Sequence, residues 1–263
     1  MSSCLLNATV HVGRRMAVGA ALGVLAGGAA LAAEPLDDSA LSDTWGQALL
    51  SLATTNYQGL DFTRLTLGAD ISLSANFNGM RLGEYTWSQR NATGADIDIG
   101  TLRFGRSDGT AAQRTVSITD PYFEFVTSGS GSSQQVVGMR FGFGGISGDV
   151  GTTMNVVSGS LLIDAGSAGT IDSRNDTLGG KRWDGTTCTT GSTCNLALSQ
   201  IGGVTAGNAD GPSRDFFLSV LKQAVVFPIV GSAPSAPDTA LAGFWLNWRD
   251  RLSALNTSGV TPP

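Results

Sequence analysis

The stretch that most constrains this chain is residues 136–164, VVGMRFGFGGISGDVGTTMNVVSGSLLID. Apolar side chains alternate at Val137, Met139, Phe141 and Phe143, return at Ile146 and Val150 around Gly148, and return again at Leu161 and Ile163. A period of two puts one face of each segment on a core and the other toward solvent or a second layer. Glycines at 138, 142, 144, 145, 148, 151 and 159 punctuate the pattern; a residue without Cβ suits sharp bends and close backbone approach. Consecutive strands with tight corners follow from this pattern, and nothing in it is built for chemistry.

The clearest further strand signal is residues 65–78, where Leu65, Leu67, Ala69, Ile71, Leu73, Ala75 and Phe77 take the odd positions. At about 3.3 Å per residue this run reaches about 43 Å, well beyond a usual strand. It is either one long strand or two rungs meeting at a corner, with Gly68 or Ala75 at the bend. Strands are expected at 80–87, 96–104, 115–119 and 122–127, with phase slips at Gly83 and Gly100 that read as bulges or corners. Residues 127–135 (TSGSGSSQQ) form a hairpin loop. Residues 215–230 read as a strand, with a helix as the alternative. The segment 242–255 is its hairpin partner, and Trp245 and Trp248 face opposite sides of it. Residues 165–212, rich in Gly, Asp, Asn, Ser and Thr, read as long surface loops and as the place for a binding surface. The fold class is thus all-β: an irregular, glycine-punctuated sheet protein, sandwich or β-solenoid-like, with a short N-terminal helical turn capped by Asp37 or Asp38.

The N-terminus narrows the compartment. Residues 1–33 carry Arg14 and Arg15, then the apolar run MAVGAALGVLAGGAALAA, then small residues at Ala30-Leu31-Ala32 that suit cleavage. This order is that of a secretory signal peptide, with twin-arginine export as a weaker variant. The four glycines in the run weaken it as a membrane anchor, and no other stretch suits a helical span. Residues 34–263 then form a single β-rich domain. Two of the 16 Lys and Arg and none of the 21 Asp and Glu lie in the leader, leaving a net charge of −7. An acidic chain with no basic cluster does not suit nucleic acid, whose binding requires concentrated Lys and Arg.

Cysteine and histidine limit the chemistry. Beyond the leader only Cys188 and Cys194 remain, in CTTGSTC, and in an oxidising compartment they are expected to form one structural disulfide. The sole histidine, His11, lies in the leader, which removes Ser-His-Asp and Cys-His catalysis and His-ligated metals from the mature chain. Three glutamates remain, Glu34, Glu84 and Glu124. A glycosidase needs two carboxyls facing each other across a sugar. Glu124, between Phe123 and Phe125, reads as a solvated strand-face charge. Glu84, at a phase slip beside Arg81 and Tyr85, and Trp183, in the polar loop KRWDG, are the speculative ligand-facing residues, although core packing is the default for tryptophan. Asp-Gly and Asn-Gly pairs at 78, 108, 184 and 210 read as turns, with calcium as the weak alternative and no other cofactor expected.

Two segments carry a family resemblance. LDDSALSDTWGQAL (36–49), and DPYFEFV followed by VVGMRFGFGGISGDVG, resemble the FilA-like, pilus-assembly group of exported proteobacterial proteins. The resemblance implies export, a β-rich fold and a link to surface appendages, and brings no catalytic residues. The expected role is a non-enzymatic structural or accessory protein of the periplasm, outer surface or extracellular space. Its partners would be appendage proteins or further copies of itself. An outer-membrane β-barrel and a carbohydrate-binding or carbohydrate-cleaving module are the alternatives.

Overall fold

A computed structural model describes residues 49–87, 94–188, 196–229 and 237–255. The expected signal peptide, the helical turn after it and Cys194 lie outside these residues. The described chain is mostly strand, joined by loops and short 3-10 turns. The strands are β1 (Leu50–Tyr57), β2 (Leu60–Leu67), β3 (Asp70–Leu73), β4 (Ala75–Leu82), β5 (Ile97–Phe104) and β6 (Val116–Thr119). Then come β7 (Tyr122–Ser128), β8 (Gln135–Gly142), β9 (Gly145–Val157), β10 (Gly159–Asp164), β11 (Thr170–Asp172) and β12 (Gly203–Ala206). The last are β13 (Phe217–Leu221), β14 (Val225–Val226), β15 (Thr239–Ala240), β16 (Gly243–Trp248) and β17 (Leu252–Ala254).

Fifteen of these strands form one mixed sheet, ordered β1-β2-β7-β8-β13-β16-β10-β17-β12-β9-β5-β4, with β11, β3 and β6 attached to its side. Its two ends, β1 and β4, do not pair with each other, so the described sheet is open. The all-β expectation holds, as one curled sheet.

The central stretch supplies β8, β9 and β10, and β9 bends where the sequence marks Gly148. That residue has φ +127, a conformation open to glycine, and a Cβ there would lie 3.2 Å from Val116 Cα. On one side of the bend β9 pairs with β6, and on the other with β5 and β12. The long alternating run 65–78 divides into parts of β2 and β4 with β3 between, breaking at Gly68-Ala69 and again at Ser74. Each piece has its own partner: β7, β6 and β5 in turn. Gly100 lies in a β-bulge, as its phase slip implies.

Residues 165–212 correct the sequence reading. Their polar composition suggests surface loops, yet β12 is inserted between β17 and β9, and Ile171, Trp183, Leu198, Ile201 and Val204 are buried. Buried ion pairs explain the discrepancy. Asp96, fully buried at the edge of β5, accepts hydrogen bonds from Lys181 Nζ (2.7 Å), Tyr85 Oη (3.1 Å) and the Phe244 N–H (3.0 Å), and lies 3.4 Å from Arg182 Nε. A polar segment enters a core when its charges are matched there.

Two apolar clusters lie on opposite faces. The larger runs from β5 and β9 through β10 and β12 to β16 and β17, and includes Trp248. The smaller joins Phe62, Val126, Phe217, Phe227 and Trp245 under the segment that carries β14 and β15. Both tryptophans of β16 are therefore buried, one in each cluster, on the opposite sides that the sequence assigns them.

Candidate interaction face and apolar cavity

Strand register builds the candidate site. Leu52 is paired with Leu65, Leu65 with Phe123, Phe123 with Phe141, Phe141 with Leu218, and Leu218 with Leu246. Directly paired residues project from the same face of a sheet, so these six form one apolar row across β1, β2, β7, β8, β13 and β16. Its outer members are exposed (Leu52 71%, Leu65 42%, Phe123 47%), Phe141 and Leu218 are half-buried, and Leu246 at the inner end is 8% exposed. Phe125 and Val220 add a second exposed pair beside the row. A ladder of rings continues inward. Phe123 to Phe141, Phe141 to Phe143, Phe143 to Phe216 and Phe216 to Trp248 have centroids 5.0, 5.0, 4.9 and 5.1 Å apart. One face thus passes from open apolar surface at β1 to enclosed core at β16. Monomeric proteins seldom expose contiguous apolar surface without an interaction behind it.

At the outer end of this face, β1 is an edge strand. Its inner side pairs with β2 over eight residue pairs, and no described strand pairs with its other side. All of LSLATTNY except Tyr57 is exposed, and the strand contains no charge and no proline. Natural edges are usually blunted by Lys, Pro or bulges because unpaired N–H and C=O groups recruit other strands. The opposite edge, β4, has such protection: it carries a charge, Arg81, which is exposed.

At the inner end the sheet curls around a cavity of about 260 Å³. Val150, Thr152 and Met154 of β9 form one wall, Leu161, Ile163, Leu246 and Trp248 another. Half-buried Phe77, Met80 and Leu82 of β4 and Phe141 and Leu218 of β8 and β13 complete the lining. Thr152 is 3% exposed, and its hydroxyl has no hydrogen-bond partner.

The charged candidates resolve differently from their sequence reading. Glu124 is not solvated: it is 2% exposed, whereas its neighbours Phe123 and Phe125 are each 47% exposed. The phase is inverted because Arg64, Glu124 and Arg140 are paired in register across β2, β7 and β8. Arg140 Nε donates to Glu124 Oε1 at 2.6 Å, and Arg64 donates to Oε2 through Nε at 2.7 Å and also through Nη2. The Arg140 guanidinium lies 4.1 Å from the Phe227 ring centroid and 4.9 Å from that of Phe217. Burial pulls its pKa below the ordinary arginine value.

Trp183 is fully buried, and its N–H and C=O bond to Val157. The expectation that it faces a ligand is therefore corrected: its ring packs in the larger core. Glu84 is exposed, as a ligand-facing residue must be, but its carboxylate is paired with Arg81 at 3.0 Å. The structure does not bring Glu84 and Trp183 together as parts of one site. Cys188 is half-buried. Among the described residues no three His, Cys, Asp or Glu side chains converge on a point that could hold a metal, and no helix is long and apolar enough to cross a membrane.

The sequence reading did not single out residues 50–57. The available signal was Leu50 and Leu52 in alternation within eight uncharged residues. No family model, curated protein or solved structure matches this chain.

Proposed function

We propose that this chain is a non-enzymatic, exported structural or accessory protein of the cell surface that acts by sheet-edge association, its β1 pairing with β1 of a second copy. The observation that carries this reading is the uncharged, proline-free edge of β1 beside an exposed apolar row. Antiparallel β1–β1 pairing about a two-fold axis normal to the sheet extends the ladder across both copies. It also sets Leu50 and Leu52 of each copy on a shared apolar face. The blunted β4 edge disfavours head-to-tail β1–β4 contacts, so the pairing closes as a dimer and does not grow into a filament.

The buried carboxylates support a non-catalytic role, since Glu124 and Asp96 are each engaged by two cations. The unpaired edges of β1 and β4 among the described strands speak for an open sheet over a closed membrane barrel, and burial of Trp183 removes the sugar-stacking platform. Export through residues 1–33, a Cys188–Cys194 disulfide and a place beside surface appendages belong to the same proposal and rest on the sequence.

Sedimentation velocity of the purified mature chain tests it. The wild type should form a dimer with rising concentration, and Leu52→Lys with Thr54→Lys should remain monomeric with an unchanged circular dichroism spectrum. A wild-type monomer at all concentrations, or an open-ended polymer, would overturn the reading.

A further inference from the structure

Beyond edge association, and independent of it, we propose that a second pocket, between the start of β4 and the loop after β5, binds one tetrahedral oxyanion, the phosphate or sulfate group of a larger molecule. It lies at the end of the sheet opposite β1. Three observations carry this.

The first is composition. The pocket has a volume of about 270 Å³, and its polar lining is Ser74, Asn76, Arg103, Arg106, Ser107 and Arg114. Three arginines thus share one pocket in a chain with 16 Lys and Arg against 21 Asp and Glu. They are scattered through LRFGRSDGTAAQR, so no basic run in the sequence announces them.

The second is a fixed frame. Arg103 and Asn76 are paired across β5 and β4 and so project from one face. The chain then turns at Gly105, with φ +86, where a Cβ would lie 2.1 Å from the Arg114 carbonyl oxygen. The Gly105 N–H donates to the Asp149 carbonyl at 2.9 Å, and the Arg106 N–H to that of Gln113 at 2.7 Å. The 3-10 turn Ala111–Arg114 is closed by the Gln113 N–H on the Thr110 carbonyl at 3.0 Å. Donors held this way lose little freedom when a ligand arrives.

The third is donor capacity left over by the neighbouring acids. Asp108 accepts from Arg106 Nε and Nη2, each at 3.0 Å, which orients the guanidinium and leaves Nη1 over. Asp149 lies 3.8 Å from Nη1, beyond hydrogen-bond reach, and accepts from Thr205 Oγ1 at 2.7 Å. Arg114 is exposed and has no ion-pair partner among the described residues. Arginine suits phosphate-like groups because its donors form a rigid fork. The donors here come from β4, β5, the loop and the 3-10 turn. A tetrahedral anion meets donors from several sides, whereas a carboxylate offers two oxygens in one plane. The volume exceeds that of a bare anion, which leaves room for the first atoms of the group that bears it.

Calorimetric titration of the mature chain at low ionic strength with inorganic phosphate, sulfate and acetate tests the assignment. Phosphate and sulfate are expected to bind one per chain, with acetate at least about tenfold weaker. Arg114→Gln and Arg106→Gln should each weaken phosphate at least about tenfold. Arg81→Gln, which removes the same charge from the other end of β4, should leave binding unchanged. Should Arg106→Gln fail to fold, Arg114→Gln decides. Glucose 6-phosphate and glycerol 3-phosphate separate the sources: tighter binding of the first assigns a phosphorylated sugar, and of the second a lipid headgroup. Absence of saturable phosphate binding, unchanged affinity in Arg114→Gln, or an equal loss in Arg81→Gln overturns the proposal. The doubly substituted β1 variant should bind phosphate like the wild type, which separates failure of this inference from failure of the dimer.

Discussion

Glu124 and Glu84 show how the same side chain acquires opposite roles from its surroundings. Glu124 lies on the covered face between two arginines, and removing it would leave Arg64 and Arg140 without their counter-charge. Breaking a buried pair by deleting one partner costs about 3–5 kcal/mol, so Glu124→Ala should lower the urea midpoint by that equivalent with an unchanged m-value. Glu84→Ala removes only an exposed pair with Arg81 and should cost less than about 1 kcal/mol. Local sequence could not separate the two. Each of Arg64, Glu124 and Arg140 interrupts an apolar strand, but their mutual register exists only once β2, β7 and β8 are side by side. The aromatic neighbours of Glu124 suggested the wrong phase because they belong to an apolar face that is itself exposed. Trp183 failed for a related reason: its polar neighbours Lys181 and Arg182 are drawn inward by Asp96, and the ring goes with them.

Among the elements, alternation and glycine placement were read well where each strand has one clear partner. The corner near Gly68, the bulge at Gly100 and the bend at Gly148 are all present in the fold. The strand reading of residues 215–230 over the helix alternative holds in two pieces, β13 and β14, of which β13 has its antiparallel partner in β16 and β14 pairs with β15 instead. What stayed hidden is that the described residues 171, 181–183, 198, 201 and 204 turn inward, since ion pairs with distant strands hold part of this segment there. Asp238 illustrates such a long-range tie. Partial burial works to raise its pKa, but donation from Arg174 and Ser160, with the charges of Arg174 and Arg249, takes it below the ordinary 3.8. A carboxyl depressed in the folded state stabilises the fold above its unfolded value and loses that contribution as pH falls through the folded value. Asp238→Asn should therefore cost a measurable amount at pH 7, below about 1 kcal/mol because both partners are partly exposed. Urea midpoints of variant and wild type should converge as the pH is taken well below 3.8.

At the scale of the whole molecule, one sheet serves three purposes. Its covered face holds the buried arginines and the smaller core, its inner curl encloses the apolar cavity, and its outer end presents β1 with Leu50, Leu52, Leu65 and Phe123 exposed. The gradient from open to enclosed apolar surface follows from the curl, which no local pattern in the sequence records. The most direct measurement of the central claim is hydrogen–deuterium exchange of the mature chain across a concentration series. Outer-edge amides of β1, residues 50–57, should exchange freely when dilute and become protected as the dimer forms, while exchange at β4 stays constant. Exchange at β1 that is independent of concentration, or protection that arises at β4 instead, would contradict the account.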